Sequence, residues 1–328
     1  MRPPAFWQRP PEAPGWQARL LSPFAAVYAS GTARRVAKPS SYQPKIPVVS
    51  VGNINVGGTG KTPTVIALTK LLQDRAVHIV SRGYGGDAPG PLRVDPKRHD
   101  AATVGDEPLL LSAFAPTWIS RDRSAGVALA EDDGAEIVLL DDSHQNPTVP
   151  KALSLVVVDA ALGFGNGRVL PAGPLREPVE TGLSRADMLI SLGDDPAQER
   201  FDANWGQHVT IPHARGALEL LETGMDWVDQ PVLAFAGIGH PEKFFRTVRA
   251  TGANLLRTEA LEDHQPLTDA LMKRLELEAS ALNAQLVTTE KDAVRLPPSF
   301  RQKVLALPVR LRFAEQAGLN DRLAALFD

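Results

Sequence analysis

A glycine-rich stretch near residue 60 has the residue types and spacing to hold phosphate. It consists of Asn55, Val56, Gly57, Gly58, Thr59, Gly60, Lys61, Thr62 and Pro63. Glycines let successive backbone N–H groups point into one hollow, and a helix that begins there adds positive partial charge. In such a loop Lys61 reaches the outer phosphates, and the Thr62 hydroxyl ligates Mg²⁺. The stretch predicts a nucleoside triphosphate site; the alternative is a glycine-rich turn that holds no phosphate.

The flanking residues supply the context that a phosphate loop needs. Residues 46–51 are a β-branched run typical of a buried strand, and residues 62–72 carry apolar side chains at helical spacing. The strict pattern has a glycine five residues before Gly60, where this chain has Asn55. Because asparagine adopts left-handed backbone more readily than most residues, we expect the loop to close.

Two consecutive aspartates, Asp141 and Asp142, follow the apolar run at residues 137–140. In phosphate-loop proteins an acidic residue at this place holds Mg²⁺, usually through water. Taken alone, such a pair is more often the start of a solvated loop. In combination with the glycine-rich stretch, the pair predicts a metal site that Asp142 and Thr62 share.

Three further groups are candidates for acid–base chemistry. Asp106 lies in the turn at residues 105–108, either as a general base or as one of two acidic residues that begin a helix. Asp263 and His264 are adjacent. Their carboxylate either orients the imidazole or belongs to a helix cap on the surface.

A long loop rich in glycine and proline, at residues 165–178, is the other candidate segment. In a functional loop Arg176 would neutralise phosphate charge, and Glu177 would assist the metal site. The alternative is a rigid structural loop in which both side chains are exposed.

The elements that must position these residues alternate between strand and helix from residue 46 onward. Predicted strands lie at 46–51, 77–80, 117–119, 137–140, 155–159, 188–191 and 208–211, with helices at 62–72 and 121–131. A second series has strands at 232–237, 286–288 and 304–309, and helices at 241–250 and 267–278. The pattern predicts an α/β fold: a P-loop NTPase-type, doubly wound and mostly parallel sheet in residues 45–212, and a smaller α/β domain in residues 213–328.

Residues 1–44 differ in composition from the rest. A proline-rich start is followed by apolar side chains from Trp16 to Tyr28 and then by Arg34, Arg35 and Lys38. Because Pro23 interrupts this run, we predict two short helices. Their apolar face lies either in a membrane interface or against the body of the protein.

Composition limits the classes of protein to consider. The 328 residues carry a formal net charge of −3 and no cysteine, so disulfides and cysteine nucleophiles are excluded and nothing favours nucleic acid as a partner. We expect neither a secretory signal nor a transmembrane helix, because no apolar run is long enough. No obligate protein partner is indicated.

Taken together, the motifs resemble the tetraacyldisaccharide 4′-kinase family of lipid A synthesis. The matching segments are residues 50–63, 81–85, 105–108, 141–142 with Gln145, 165–177 and 262–264. Their order and spacing span roughly residues 15 to 290, which makes the match one of the whole chain.

The resemblance implies transfer of the γ-phosphoryl group of ATP, with Mg²⁺, to the 4′-hydroxyl of tetraacyldisaccharide 1-phosphate, giving lipid IVA. It implies a peripheral protein on the cytoplasmic face of the bacterial inner membrane, held there by its N-terminal segment and acting on a lipid-linked substrate. It also implies that Asp106 is the base, that Asp263 and His264 support it from the second domain, and that Lys61 and Arg176 neutralise charge. The metal ligands would be Thr62, Asp142, Asp141 and Glu177.

One departure concerns the residues after the two aspartates. The family usually reads Asp-Asp-Gly-Phe-Gln, whereas this chain has Ser143 and His144 before Gln145. Loss of the glycine is expected to restrict the backbone at residue 143. The alternative functions are a P-loop GTPase or metallochaperone-like NTPase, for which residues 289–292 weakly resemble a guanine signature, and a nucleotide-gated membrane scaffold.

Overall fold

The structure, a computed structural model, describes residues 3–222, 224–262 and 265–328. The strands are β1 Val48–Gly52, β2 Val77–Ser81, β3 Leu92–Arg93, β4 Thr117–Ile119, β5 Ile137–Asp141, β6 Leu153–Asp159, β7 Met188–Leu192, β8 His213–Leu220, β9 Pro231–Ala236, β10 Asn254–Ala260, β11 Gln285–Thr289, β12 Val304–Leu307 and β13 Val309–Phe313. The helices are α1 Trp16–Val36, α2 Lys61–Leu71, α3 Ala101–Val104, α4 Asp106–Leu111, α5 Arg123–Asp132, α6 Val179–Leu183, α7 Asp195–Trp205, α8 Pro241–Ala250, α9 Asp269–Ala281, α10 Glu290–Ala293, α11 Pro298–Arg301 and α12 Ala317–Ala324.

The larger sheet has the order β13-β8-β7-β6-β1-β5-β2-β4-β3. Its inner seven strands pair in parallel, and only β3 and β13 at its edges run antiparallel to their neighbours. β1 lies between β5 and β6 and is buried at every position, as a central parallel strand is. The carboxyl ends of β1, β5 and β6 therefore meet at one edge of the sheet. The predicted phosphate loop and the two predicted metal-binding aspartates lie at this edge. The predicted doubly wound, mostly parallel sheet is confirmed.

Apolar clusters cover both faces of this sheet. On one face α2 and α12 pack over the central strands, with Val65 and Leu68 against Leu139 and Leu155. On the other face α5 packs over β5, and α7 packs near β6 and β7 through Phe201. This two-sided burial fixes the position of the strand ends that carry the site.

A smaller, all-parallel sheet has the order β10-β9-β11-β12. Phe244, Phe245 and Val248 of α8 pack on one face, and Met272 and Leu275 of α9 pack on the other. The predicted helix at 241–250 matches α8, and the second α/β series is present as the pattern indicated.

Sheet membership differs from the predicted division of the chain at residue 213. β8 and β13, both within the range assigned to the smaller domain, lie in the larger sheet, where they pair with each other. The strand expected at 208–211 begins at His213, and the run at 304–309 forms two strands separated at Pro308. Because proline has no N–H to donate to a ladder, the chain leaves one sheet there and enters the other.

The N-terminal segment forms one helix, α1, so the prediction of two short helices is wrong. Pro23 lies inside α1, and the hydroxyl of Ser22 donates to the Ala18 carbonyl at 2.8 Å within the same turn. Ala18 and Ala25 are buried against the larger domain, whereas Trp16 and its apolar neighbours on the opposite side are exposed. In the part of the chain that the structure describes, no helix is both long and apolar enough to cross a membrane.

Candidate functional site

The glycine-rich loop connects β1 to α2 at the centre of the larger sheet. Gly60 caps α2 with φ 95° and ψ 21°, a left-handed conformation that favours glycine, and a Cβ there would lie 2.3 Å from Leu192 Cδ1. Among the described residues, the N–H groups of residues 57–60 donate to no backbone carbonyl. These unpaired donors at the positive end of a helix form a cradle for an anion. Lys61, Thr62 and Pro63 form the first turn of α2.

The start of the loop is braced by its neighbours. The Val56 N–H donates to the Pro174 carbonyl at 2.8 Å, and the Asn55 side chain donates to the Gly163 carbonyl at 2.9 Å. Asn55 does not adopt the left-handed backbone that its place in the motif led us to expect. Because Asn55 pairs with Leu175 in an isolated β-bridge, the long loop at residues 165–178 holds the phosphate loop in shape. The contact of Asn55 and Val56 with a nucleotide stays a prediction.

Asp142 lies between two cations at the end of β5. Its Oδ1 is 3.7 Å from Lys61 Nζ, and Arg176 donates to Oδ1 at 3.0 Å and to Oδ2 at 3.2 Å. Burial acts to raise the pKa of Asp142, but the charges of Lys61 and Arg176 outweigh it and lower the pKa below its ordinary value. The structure thus brings three predicted residues together as an ionised cluster beside the phosphate loop.

Asp141, one residue earlier, has a different environment. It is buried, it accepts a hydrogen bond from Ser81 Oγ at 3.1 Å, and its Oδ1 has no hydrogen-bond partner in the described part of the chain. Burial, followed by the negative charge of Glu107, raises the pKa of Asp141 to about 7. A nearby cation would favour its ionised form.

These residues fit Mg²⁺ bound mainly by phosphate oxygens and water. Mg²⁺ typically takes one or two carboxylates plus substrate phosphates, and the unpartnered Asp141 oxygen and the Thr62 hydroxyl suit that role. Within the described residues, no group of three or more carboxylate and histidine side chains gathers as a protein-only metal site.

Glu177 is occupied by a network of its own. Its two carboxylate oxygens accept from Arg185 at 2.9 and 2.7 Å, and Gln145 Nε2 donates to Oε1 at 2.9 Å. Gln145 also donates to the Asn53 carbonyl at 2.7 Å and accepts from Arg176 at 3.3 Å. In this arrangement Glu177 positions Gln145 and, through it, Arg176. Its predicted role as a metal ligand stays a prediction.

Asp106 begins α4, and its backbone turn depends on Gly105, whose φ is 89°. The carboxylate is buried, and its Oδ1 accepts from the Glu107 N–H at 3.0 Å. α4 contacts α2, the helix that begins at the phosphate loop, and the charge of Glu107 acts on Asp141 at the end of β5. Asp263 and His264, predicted to support Asp106, lie outside the described residues.

Comparison with known proteins identifies the family. Residues 17–328 match the model of the tetraacyldisaccharide-1-P 4′-kinase family. A tetraacyldisaccharide 4′-kinase of Dinoroseobacter shibae is 62% identical over 100% of this chain and 98% of its own. One of Rhodospirillum centenum is 48% identical over 99% of this chain and 97% of its own.

The chain belongs to the tetraacyldisaccharide-1-P 4′-kinase family. A crystal structure of LpxK from Aquifex aeolicus in complex with ATP superposes with a TM-score of 0.79 at 27% identity, covering 95% of this chain and 99% of that one. Family membership confirms the resemblance predicted from the motifs and the predicted phosphotransferase class.

The departure from the usual family sequence at Ser143 and His144 is accommodated. The left-handed residue of this turn is Asp142, with φ 52°, so the backbone restriction expected at Ser143 does not arise. His144 is buried, with Nε2 2.9 Å from the Gly182 carbonyl and Nδ1 3.2 Å from Ser154 Oγ. Burial lowers the pKa of His144 to about 4, so the imidazole is neutral at pH 7. It is a structural side chain beneath the phosphate loop, because a Cβ on Gly52 would lie 2.5 Å from His144 Cβ.

The structural role of residues 289–292 was not predicted from the sequence. Asp292, in the position of the guanine-binding aspartate, is completely buried and accepts from Thr289 Oγ1 at 2.7 Å and from the Gly237 N–H at 3.0 Å. It is also paired with Arg295. Its carboxylate is therefore committed within the smaller domain and does not favour a GTPase. The neighbouring Lys291 instead reaches across to α4, at 3.2 Å from Glu107 Oε1.

Proposed function

We propose that this chain transfers the γ-phosphoryl group of ATP to the 4′-hydroxyl of tetraacyldisaccharide 1-phosphate, giving lipid IVA. One observation carries the proposal: the N–H groups of residues 57–60, which have no backbone acceptor in the described part of the chain, adjoin the ionised cluster of Lys61, Asp142 and Arg176. Membership of the kinase family and the superposition on a structure that contains ATP support the same nucleotide.

Phosphoryl transfer depends on positioning and charge stabilisation, and each residue of the site has a separate role in it. Lys61 and the loop N–H groups bind the phosphate tail, and Arg176 adds a charge that is fixed by Asp142. Asp106 accepts the proton of the sugar hydroxyl as that oxygen attacks. Mg²⁺, when bound through Asp141, Asp142 and Thr62, supplies further neutralisation of phosphate charge. Asp263 and His264 are assigned to the support of Asp106.

The lipid substrate calls for a protein that reaches the bilayer surface. Four acyl chains leave a membrane only at high cost, about 0.8 kcal/mol per CH₂ group. Trp16, Leu20, Phe24 and Val27 form an exposed apolar stripe along α1, between 64 and 74% exposed, and Arg34 and Arg35 follow in its last turn. Apolar and basic side chains in this order suit an anionic membrane interface, and we assign α1 to the cytoplasmic face of the inner membrane.

The test is incubation of the chain with Mg²⁺, tetraacyldisaccharide 1-phosphate in mixed micelles, and either ATP or GTP, followed by mass measurement of the lipid. We expect one added phosphoryl group, with ATP strongly preferred. Lys61→Ala should lower turnover by at least about 10²-fold, as expected for loss of one charge-stabilising donor. The matched control is Lys70→Ala, an exposed lysine on the same helix, which should retain parent activity.

Two results would contradict the proposal. Preference for GTP would support the GTPase alternative. Binding of ATP without any phosphorylated lipid would support the nucleotide-gated scaffold instead.

A further inference from the structure

Lys291 joins the smaller domain to the start of α4. It lies in α10, and its Nζ is 3.2 Å from Glu107 Oε1 and 3.8 Å from Asp106 Oδ2. The Lys291 side chain is 19% exposed and that of Asp106 only 2%, so this ammonium faces the two carboxylates at the margin of a buried site. Lys291 and Glu107 are 184 residues apart in the sequence, so only the tertiary fold brings them into contact.

The backbone of Lys291 is held in place by the buried residue that follows it. The Thr289 hydroxyl caps this turn by accepting the Asp292 N–H at 3.1 Å, and it donates to the Asp292 carboxylate at 2.7 Å. That carboxylate also accepts the Gly237 N–H and pairs with Arg295. A fully buried carboxylate with all of these partners stays in one position, since each lost partner would leave a buried charge less well compensated. Lys291 is therefore presented to α4 from a rigid base.

The hydrogen bond between Asp292 and Gly237 also positions a segment that lies close to the phosphate loop. Gly237 follows β9, and two residues later a Cβ on Gly239 would lie 3.9 Å from the Gly58 N atom. Asp292 thus fixes the segment that approaches the phosphate cradle as well as the turn that presents Lys291. In the arrangement seen in the structure, called seated below, the smaller domain contacts the larger one at both places.

We propose that Lys291 is a positioning residue for Asp106, an inference that rests on the proposed role of Asp106 as the base. The negative charges of the Asp106 and Glu107 carboxylates repel each other. The Lys291 ammonium offsets this repulsion and so holds the two carboxylates in one arrangement. Glu107, the nearer carboxylate, anchors the ammonium. Asp106 is then competent only when the smaller domain is seated over the phosphate loop.

The experiment compares Lys291→Ala, Lys291→Arg and Asp106→Asn in the full chain, with ATP, Mg²⁺ and tetraacyldisaccharide 1-phosphate. We expect Lys291→Ala to lower kcat roughly 10- to 100-fold, the loss that a misplaced catalytic group causes, with KM for ATP within about threefold of the parent. Propylammonium added to the buffer should restore part of the kcat of Lys291→Ala and none of that of Asp106→Asn. Lys291→Arg should keep most of the parent rate, because it keeps the charge.

The control is Lys273→Ala, an exposed lysine on α9 of the same domain, which should match the parent in both constants. Should Lys291→Ala unfold, Lys291→Gln removes the charge with less loss of packing and must show the same split between kcat and KM. A rise in KM for ATP with kcat unchanged, or parent kcat in the uncharged variants, overturns the positioning role while leaving the proposed function intact. Absence of lipid product from the parent protein overturns the proposed function and this inference with it.

Discussion

Asp141 and Asp142 show how neighbouring residues of one type acquire opposite properties. Asp142 turns toward Lys61 and Arg176 and has a lowered pKa, whereas Asp141 points into the sheet edge, where burial raises its pKa to about 7. The left-handed backbone of Asp142 separates the two side chains. Before any ligand binds, one aspartate is already paired with the phosphate-binding cations, and the other has an oxygen available for a metal ion.

His144 gives the folded protein an acid-sensitive element. Its pKa falls from 6.5 in the unfolded chain to about 4 in the folded one because the imidazole is buried. Between these values the unfolded chain binds a proton that the folded chain does not, so the stability is complete above pH 6.5 and declines as the pH falls toward 4. We expect a loss of about 2 kcal/mol from this group by pH 5, or ~4 °C in Tm.

His144→Phe, which installs the usual family residue, should remove this contribution. Its Tm should fall less than that of the parent between pH 7 and pH 5 when both are followed by circular dichroism. Equal slopes for His144→Phe and the parent would exclude His144 as the source.

At the scale of elements, the sequence predicts those features of the fold that depend on residues close together in the chain. Strand, glycine turn and helix follow one another within residues 48–71, and the turn that Gly60 makes requires glycine, so the phosphate loop was evident from the sequence. The bracing of Asn55 by Leu175 could not be predicted, because it pairs segments 120 residues apart. For the same reason, the entry of β8 and β13 into the larger sheet and the reach of Lys291 to α4 were found only in the structure.

The two faces of α1 separate packing from membrane binding. Ala18 and Ala25 bury one face, while Leu20 and Phe24 lie on the exposed stripe and contact no core cluster in the described residues. Removing an apolar side chain from a membrane interface costs about 1.5–3 kcal/mol. Leu20→Ser with Phe24→Ser should therefore weaken sedimentation with anionic phospholipid vesicles by at least about 10²-fold, with Tm unchanged.

The matched control is Leu277→Ser with Leu282→Ser, two exposed leucines of the smaller domain. This pair should bind vesicles as the parent does. If both pairs weaken binding equally, the interaction comes from general surface hydrophobicity and not from α1.

At the scale of the whole molecule, ion pairs on separate elements join the smaller domain to the larger. Lys291 reaches α4, and Lys243 of α8 donates to Asp159 at the end of β6. Asp159 is almost buried, and its other oxygen accepts from the Ala161 N–H at 3.0 Å. Between these contacts the segment at Gly239 approaches the phosphate loop. These bridges, together with the ion pair of Glu290 in α10 and Arg310 in β13, thus bias the smaller domain toward the seated arrangement.

Lys243→Met should separate seating from base positioning, because the Lys243 ammonium pairs with Asp159 and, within the described residues, with none of the acid–base residues. Since the ammonium is partly exposed, its loss should weaken seating by about 1 kcal/mol. A ligand that requires the seated arrangement then binds about fivefold more weakly, so KM for ATP should rise by that factor while kcat at saturating ATP stays within twofold. Lys303→Met, which breaks an ion pair inside the smaller domain, should change neither constant. A fall in kcat with KM unchanged for Lys243→Met would mean that this bridge acts on chemistry, in the way proposed for Lys291, and not on domain seating.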